Sequence, residues 1–131
     1  MMYVLDTNTL IYFFKEMGNV ATRLLQEPHQ EIGIPSIVVY ELETGIAKST
    51  SPHKRADQLA EILGALNVLP FGLHEARIAG QIRATLEKQG QPIGAYDVLI
   101  AATALAENAT LVTHNTKEFE RVPQLKVEDW F

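Results

Sequence analysis

Short apolar runs alternate along this chain with longer stretches of helical period, and that alternation restricts the fold more than any other feature. Tyr3-Val4-Leu5 (within 2–5), Glu31-Ile32-Gly33-Ile34, Asn67-Val68-Leu69-Pro70-Phe71 and Thr110-Leu111-Val112-Thr113 read as strands, with Leu125-Lys126-Val127 as a fifth. Between them the pattern predicts helices over about 8–15 and 18–27. A further helix opens at Pro35-Ser36, with Ser36 as its N-cap, and runs through Lys48. The next has Pro52 in its first turn and an apolar stripe of Leu59, Ile62, Leu63 and Leu66. Ala76, Ala79, Ile82 and Leu86 carry another, which stops at Gly90, and the stretch Tyr96–Glu107 is apolar on nearly every side, as a central buried helix would be. Strands separated by helices favour a parallel sheet covered on both faces. The expectation is a three-layer α/β/α fold with a central, mostly parallel sheet of four to five strands, in one domain spanning 1–131. Pro70 places the third strand at an edge.

Composition removes several classes of function. The chain has no cysteine, which excludes disulfides, thiolate zinc sites and cysteine nucleophiles and suits a cytoplasmic protein. No apolar run approaches the roughly 20 residues that span a bilayer. Nor does a basic-then-apolar leader precede the first strand, so a soluble chain without a membrane role is expected. A net charge of −5 has the wrong sign for coating nucleic acid by bulk electrostatics. A bound divalent cation can reverse that sign locally.

Most acids, including Glu16, Glu27, Glu61, Glu75, Glu87, Glu107 and Glu120, sit where a solvated helix face or turn is expected. Three do not. Asp6 ends the first strand abruptly, at the carboxyl edge where open α/β sheets collect ligands, although it can equally serve as the N-cap of the next helix. Glu41 shares a helical stripe with Ile37, Val38 and Gly45, so it points inward; a buried ion pair with Arg83 is the alternative use. Asp97 opens the most apolar helix beside Gly94, where capping is a fair alternative. The fourth strand ends on Thr113-His114-Asn115. A parallel sheet brings strand ends and helix starts to one edge, so these groups can converge there. Crowded carboxylates repel, and an oxygen-only site with retained water suits Mg²⁺ or Mn²⁺. Asn115 can add a neutral oxygen.

Taken together these residues resemble the PIN-domain ribonucleases, specifically the VapC toxins of bacterial toxin–antitoxin pairs. The likeness runs over essentially the whole chain. It is carried by Leu5-Asp6-Thr7-Asn8, by Glu41 in the helix after Pro35-Ser36, by Pro92-Ile93-Gly94-Ala95-Tyr96-Asp97 before Ile100-Ala101-Ala102, and by Leu111-Val112-Thr113-His114-Asn115-Thr116-Lys117-Glu118-Phe119. The resemblance implies a PIN-like fold with Asp6, Glu41 and Asp97 as acidic metal ligands. The fourth acidic position is here Asn115, with Glu118 one turn on as a substitute. Thr7, Asn8 and Thr113 would surround the ligands with hydrogen bonds. Gln81-Ile82-Arg83, Gly90-Gln91-Pro92-Ile93-Gly94 and Glu128-Asp129-Trp130 look like the toxins that cut initiator tRNA in its anticodon stem-loop.

The function so implied is Mg²⁺-dependent endoribonuclease activity, with Mn²⁺ as a substitute ion. Arg83, Lys88, His114 and Lys117 are the cations expected to contact phosphate. Implied partners are a VapB-type antitoxin, a tRNA substrate and a second copy of the chain within a larger assembly. The Ile11-Tyr12-Phe13-Phe14 run could serve either protein interface or simply the core. Two rivals remain at this level. A haloacid-dehalogenase-type phosphatase also begins with a strand-end aspartate, but it wants a second aspartate where Asn8 stands. A catalytically inactive PIN-fold protein-binding domain would be favoured by Asn115.

Overall fold

The computed structural model describes residues 2–131. The chain runs β1 (Tyr3–Leu5), α1 (Thr7–Phe14), α2 (Val20–Gln26), a single 3₁₀ turn (His29–Glu31), β2 (Ile32–Pro35), α3 (Ser36–Lys48) and α4 (Pro52–Ala65). It continues through β3 (Asn67–Leu69), α5 (Leu73–Lys88), α6 (Ala95–Ala106), β4 (Thr110–Val112), α7 (Thr116–Phe119) and β5 (Lys126–Glu128). Among the described residues the sheet has five strands in the order β3-β2-β1-β4-β5, and every pairing is parallel. The apolar strands explain this: Val4, Leu5, Ile32, Ile34, Leu111 and Val112 are fully buried, as strands covered by helices on both faces must be.

Strand order fixes where chemistry can happen. From β1 the chain winds outward to β2 and β3, then returns to lay β4 on the opposite side of β1 and β5 beyond it. The reversal point therefore lies between β1 and β4, and the crevice beyond their carboxyl ends is where open α/β sheets bind ligands. Register aligns Leu5 with Val112, so Asp6 and Thr113 emerge side by side.

Several sequence expectations hold in detail. β3 is an edge strand, although it ends at Leu69 and leaves out Pro70 and Phe71; Pro52 is the first residue of α4, and α6 buries Val98 and the run Ile100–Ala104. Gly90 stands just after α5 with φ +70°, where a side chain would be strained. Three local expectations are corrected. Ser36 is not an N-cap but the first residue of α3; Pro35, still paired with Leu69 in the sheet, occupies the cap with no side-chain bond. Glu31 belongs to the 3₁₀ turn rather than to β2. Glu75 is not merely solvated, since its carboxylate accepts from the Gly72 N–H (2.7 Å) and so ties off the start of α5.

Candidate active site

Asp6 is the best-held group at the β1–β4 edge. It is only 5% exposed and caps α1, with Oδ1 accepting from the Thr9 N–H (2.9 Å). Its Oδ2 accepts from the Thr113 hydroxyl at 2.5 Å. Burial pushes the Asp6 carboxyl above the usual carboxylate range, and the bonds from Thr113 and Thr9 pull it part of the way back. Capping and site placement are thus the same geometry, because the first helix starts at the strand end. Thr9 was not singled out by the sequence, yet it is buried and its hydroxyl also donates to the Val112 carbonyl (3.1 Å), clamping α1 to β4. The Asp-x-x-Thr spacing across a strand–helix junction was the available signal.

Glu41 reaches the edge from the second turn of α3. It is half-buried, and its Oε1 accepts from the Thr7 hydroxyl (2.8 Å). A buried Glu41–Arg83 pair is not what forms. Arg83 lies on the exposed face of α5, where its Nε donates to Glu87 four residues on (2.8 Å), a closer partner than anything across the fold.

Asp97 sits in the first turn of α6, and Gly94 is the N-cap. A Cβ built at Gly94 would lie 3.0 Å from Asp97 Oδ2, so the glycine is what lets the loop pass over this carboxylate. Glu118, from the short α7, closes the arrangement. Its Oε1 accepts from the Gly94 N–H (2.9 Å) and its Oε2 from the side-chain amide of Asn115. Asn115 in turn donates its backbone N–H to the Thr113 hydroxyl (3.0 Å). A continuous hydrogen-bonded chain therefore joins Asp6, Thr113, Asn115, Glu118 and Gly94.

Electrostatics show that these acids face one another. The Asp97 carboxyl is pushed up to about 7, first by burial, then by the charge and hydrogen bond of Glu118, and further by Asp6 and Glu41. A helix N-terminus normally favours a carboxylate by about 0.3–1 kcal/mol. Here burial, reinforced by repulsion, outweighs it. The donors are all hard oxygens, which fits a divalent cation that keeps much of its water. Among the described residues no three His, Asp or Glu side chains are grouped closely enough to hold a metal ion by themselves.

The remaining residues singled out by the sequence are spread more widely. Asn8 is exposed at the start of α1. Next to Asn115, His114 is already engaged: Nδ1 lies 2.9 Å from Asp129 Oδ2, and the ring stacks on Phe131 with centroids 4.3 Å apart. Lys88 and Lys117 are exposed on α5 and α7. A pair missed by sequence flanks two of the acids. Tyr40 and Tyr96, the residues before Glu41 and Asp97, are exposed and bring their hydroxyls within 3.0 Å. Among the described residues no helix is long and apolar enough to cross a membrane.

Comparison with known proteins agrees with this geometry. The family described as "PIN domain" matches residues 3–125. Ribonuclease VapC2 of Rickettsia felis is 39% identical over 132 residues, covering 99% of this chain and 98% of that protein. The tRNA(fMet)-specific endonuclease VapC of Salmonella typhimurium is 35% identical, covering 98% and 97%. A crystal structure of VapBC2 from Rickettsia felis, bound to a DNA fragment from their promoter, superposes with a TM-score of 0.93 at 38% identity over 100% of both chains. The DNA-bound VapBC of Salmonella typhimurium gives the same TM-score at 35% identity. These relatives are nucleases, which does not favour the phosphatase or the inactive-domain reading, and PIN-domain nucleases of this kind depend on divalent metal. Fold, edge acids and full-length similarity agree: the chain belongs to the PIN-domain family, among its VapC ribonucleases.

Proposed function

We propose that this protein is the toxin of a type II toxin–antitoxin pair and hydrolyses RNA phosphodiesters, with initiator tRNA as its substrate. The observation that carries the reading is the Asp97 carboxyl, raised to about 7 first by burial and then by the nearby charges of Glu118, Asp6 and Glu41. That cost makes sense at a site designed for positive charge. Asp6, Asp97 and Glu41 would hold the ion, proposed as Mg²⁺ with Mn²⁺ as substitute, and Glu118 takes the acidic role that Asn115 leaves open. When bound, the ion would supply water activation and charge neutralisation at the phosphate. Thr113 and Thr9 fix the Asp6 oxygens, and Thr7 fixes Glu41, so no reorganisation is needed as charge develops. Glu41 or Asp97 would accept at a carboxylate oxygen the proton that the attacking water loses. The products expected from the family are a 5′-phosphate and a 3′-hydroxyl.

A VapB-type antitoxin is the proposed partner, within a larger assembly that includes a toxin homodimer, and the cytoplasm is the proposed compartment. An open groove of about 610 Å³, lined by Phe13, Phe14, Leu24, Leu25 and Leu66 between α1, α2 and α4, supports an apolar helix as the antitoxin element. The test is sequencing of RNA ends after brief induction, alongside cleavage of tRNA by the pure chain with Mg²⁺, with EDTA, and with Asp6→Asn. Cleavage at one tRNA position that disappears with EDTA and with Asp6→Asn is expected. Unchanged cutting by the variant would remove Asp6 from the chemistry.

A further inference from the structure

A second groove, of about 330 Å³, runs between α1, α3 and the start of α4, and Glu41 of the acid cluster opens onto it. Its other charged residues are cations: Lys15 at the C-terminal cap of α1, and Lys54 and Arg55 in the first turns of α4. In a chain with 16 acids against 11 Lys and Arg, this is a local reversal of sign. Two cations outside the groove do have carboxylate partners, Arg23 with Glu27 and Glu128 and Arg83 with Glu87. Among the described residues Lys15, Lys54 and Arg55 have no carboxylate within ion-pair distance.

Their position is also unfavourable for the helix itself. The first turn of α4 contains no acid, its Ser51 cap makes no side-chain bond, and the helix N-terminus already carries partial positive charge. Placing Lys54 and Arg55 there adds like charge to like. The Arg55 guanidinium is nonetheless held in place, donating to Gln58 Oε1 (2.7 Å) and lying 5.2 Å over the Phe14 ring. The hydroxyls of Ser49 and Ser51 line the same groove. Concentrated positive field, uncapped N–H groups, hydroxyls and a pre-set guanidinium together make a site for a polyanion.

We infer that this groove is the track of the RNA strand on one side of the cleaved phosphodiester, with Lys15, Lys54 and Arg55 each neutralising a backbone phosphate. The inference rests on the ribonuclease reading, since Glu41 joins the groove to the acid cluster. An RNA strand is favoured over an acidic peptide because a strand leaving that cluster must carry a phosphate at every step.

The experiment is fluorescence anisotropy of a labelled initiator-tRNA transcript with the full chain in EDTA, across a NaCl series. Lys15→Ala, Lys54→Ala, Arg55→Ala and their triple combination are compared with Lys126→Ala on the far edge strand, with thermal melts confirming folding. Each single variant should flatten the slope of log affinity against log salt by about 0.7–1, and the triple variant by about 2–3. Lys126→Ala should leave it unchanged, and Arg55→Lys should restore the slope. A triple variant with the parent's affinity and slope overturns the inference. So does a triple variant that keeps RNA binding but loses an acidic peptide or the antitoxin. The nuclease reading fails separately: a parent chain that binds tRNA through these cations yet leaves it uncut with Mn²⁺ or Mg²⁺ would spare the groove and sink the hydrolysis.

Discussion

Asp97 shows how a residue can be destabilising where it stands and still belong there. In the folded protein its carboxyl holds a proton up to about 7, against an ordinary value of 3.8. The fold therefore binds more protons than the unfolded chain across that interval, and stability falls as pH rises through it. Asp6, also raised by burial, acts in the same direction. Asp97→Asn removes the larger part of this cost without changing the shape of the site. Melts of the metal-free protein should show the variant and the parent nearly equal at pH 4, with the variant increasingly more stable up to pH 8. Mg²⁺ should raise the parent's melting temperature at pH 8, since it binds only the folded state, and should do so far less for the variant. A parent that grows more stable than the variant between pH 5 and 7.5 in EDTA would show that the carboxylates do not repel as described. Activity should be lost in the variant even as stability rises, which is the expected trade at a site prepared for a cation.

At the scale of elements, legibility followed length and period. The apolar strands, the stripe of α4 and the buried α6 were readable because each repeats a clear spacing over several residues. Asp6 and Asp97 were readable for the same reason, as they interrupt such patterns at an element's end. α7 was not readable: four residues, Thr116–Phe119, are too few to show a helical period, so Glu118 could be named but not aimed. Glu41 was read as inward-facing and in fact lies half-buried, because its partner is the hydroxyl of Thr7 from α1 rather than a buried guanidinium. Such cross-element bonds leave no periodic trace. Gly94 has a role at the N-cap of α6 that no periodic pattern marks. Its φ of −55° suits alanine, and Gly→Ala at a compatible position stabilises by about 0.4–1 kcal/mol. The new Cβ, however, would meet Asp97 Oδ2 at 3.0 Å and displace it. Gly94→Ala should therefore keep or raise the melting temperature while weakening Mn²⁺ binding about tenfold, the size of effect seen for residues that orient metal ligands. Calorimetric titration with Mn²⁺ measures this; an unchanged affinity would mean the carboxylate is not fixed by the loop.

Across the whole molecule, the site depends on β4 holding its position between β1 and β5, and the last residues secure it. The Thr113 N–H donates to the Glu128 carbonyl (2.9 Å), so the residue that orients Asp6 is itself anchored by β5. Trp130, only 3% exposed, locks that edge: its indole N–H donates to Glu128 Oε1 (2.8 Å), and its ring packs on Tyr3 of β1 with centroids 5.1 Å apart. Arg23 of α2 lies 5.1 Å over the same ring while its guanidinium binds Glu128 at 2.6 Å. One side chain thus joins β1, β5 and α2. Trp130→Ala should cost about 3–5 kcal/mol, in the range for removing a buried aromatic. For a domain of this size that corresponds to a fall of about 10–20 °C in melting temperature. Leu25→Ala, on a side chain 74% exposed, should shift it by less than about 0.5 kcal/mol and serves as the control. Because β5 supports Thr113, amide exchange at Thr113 and Asp6 should accelerate in Trp130→Ala more than at Val38 or Leu59, which are buried in α3 and α4. Uniform acceleration would mean that the tail stabilises the molecule as a whole without selectively bracing the strand end on which the carboxylates are mounted.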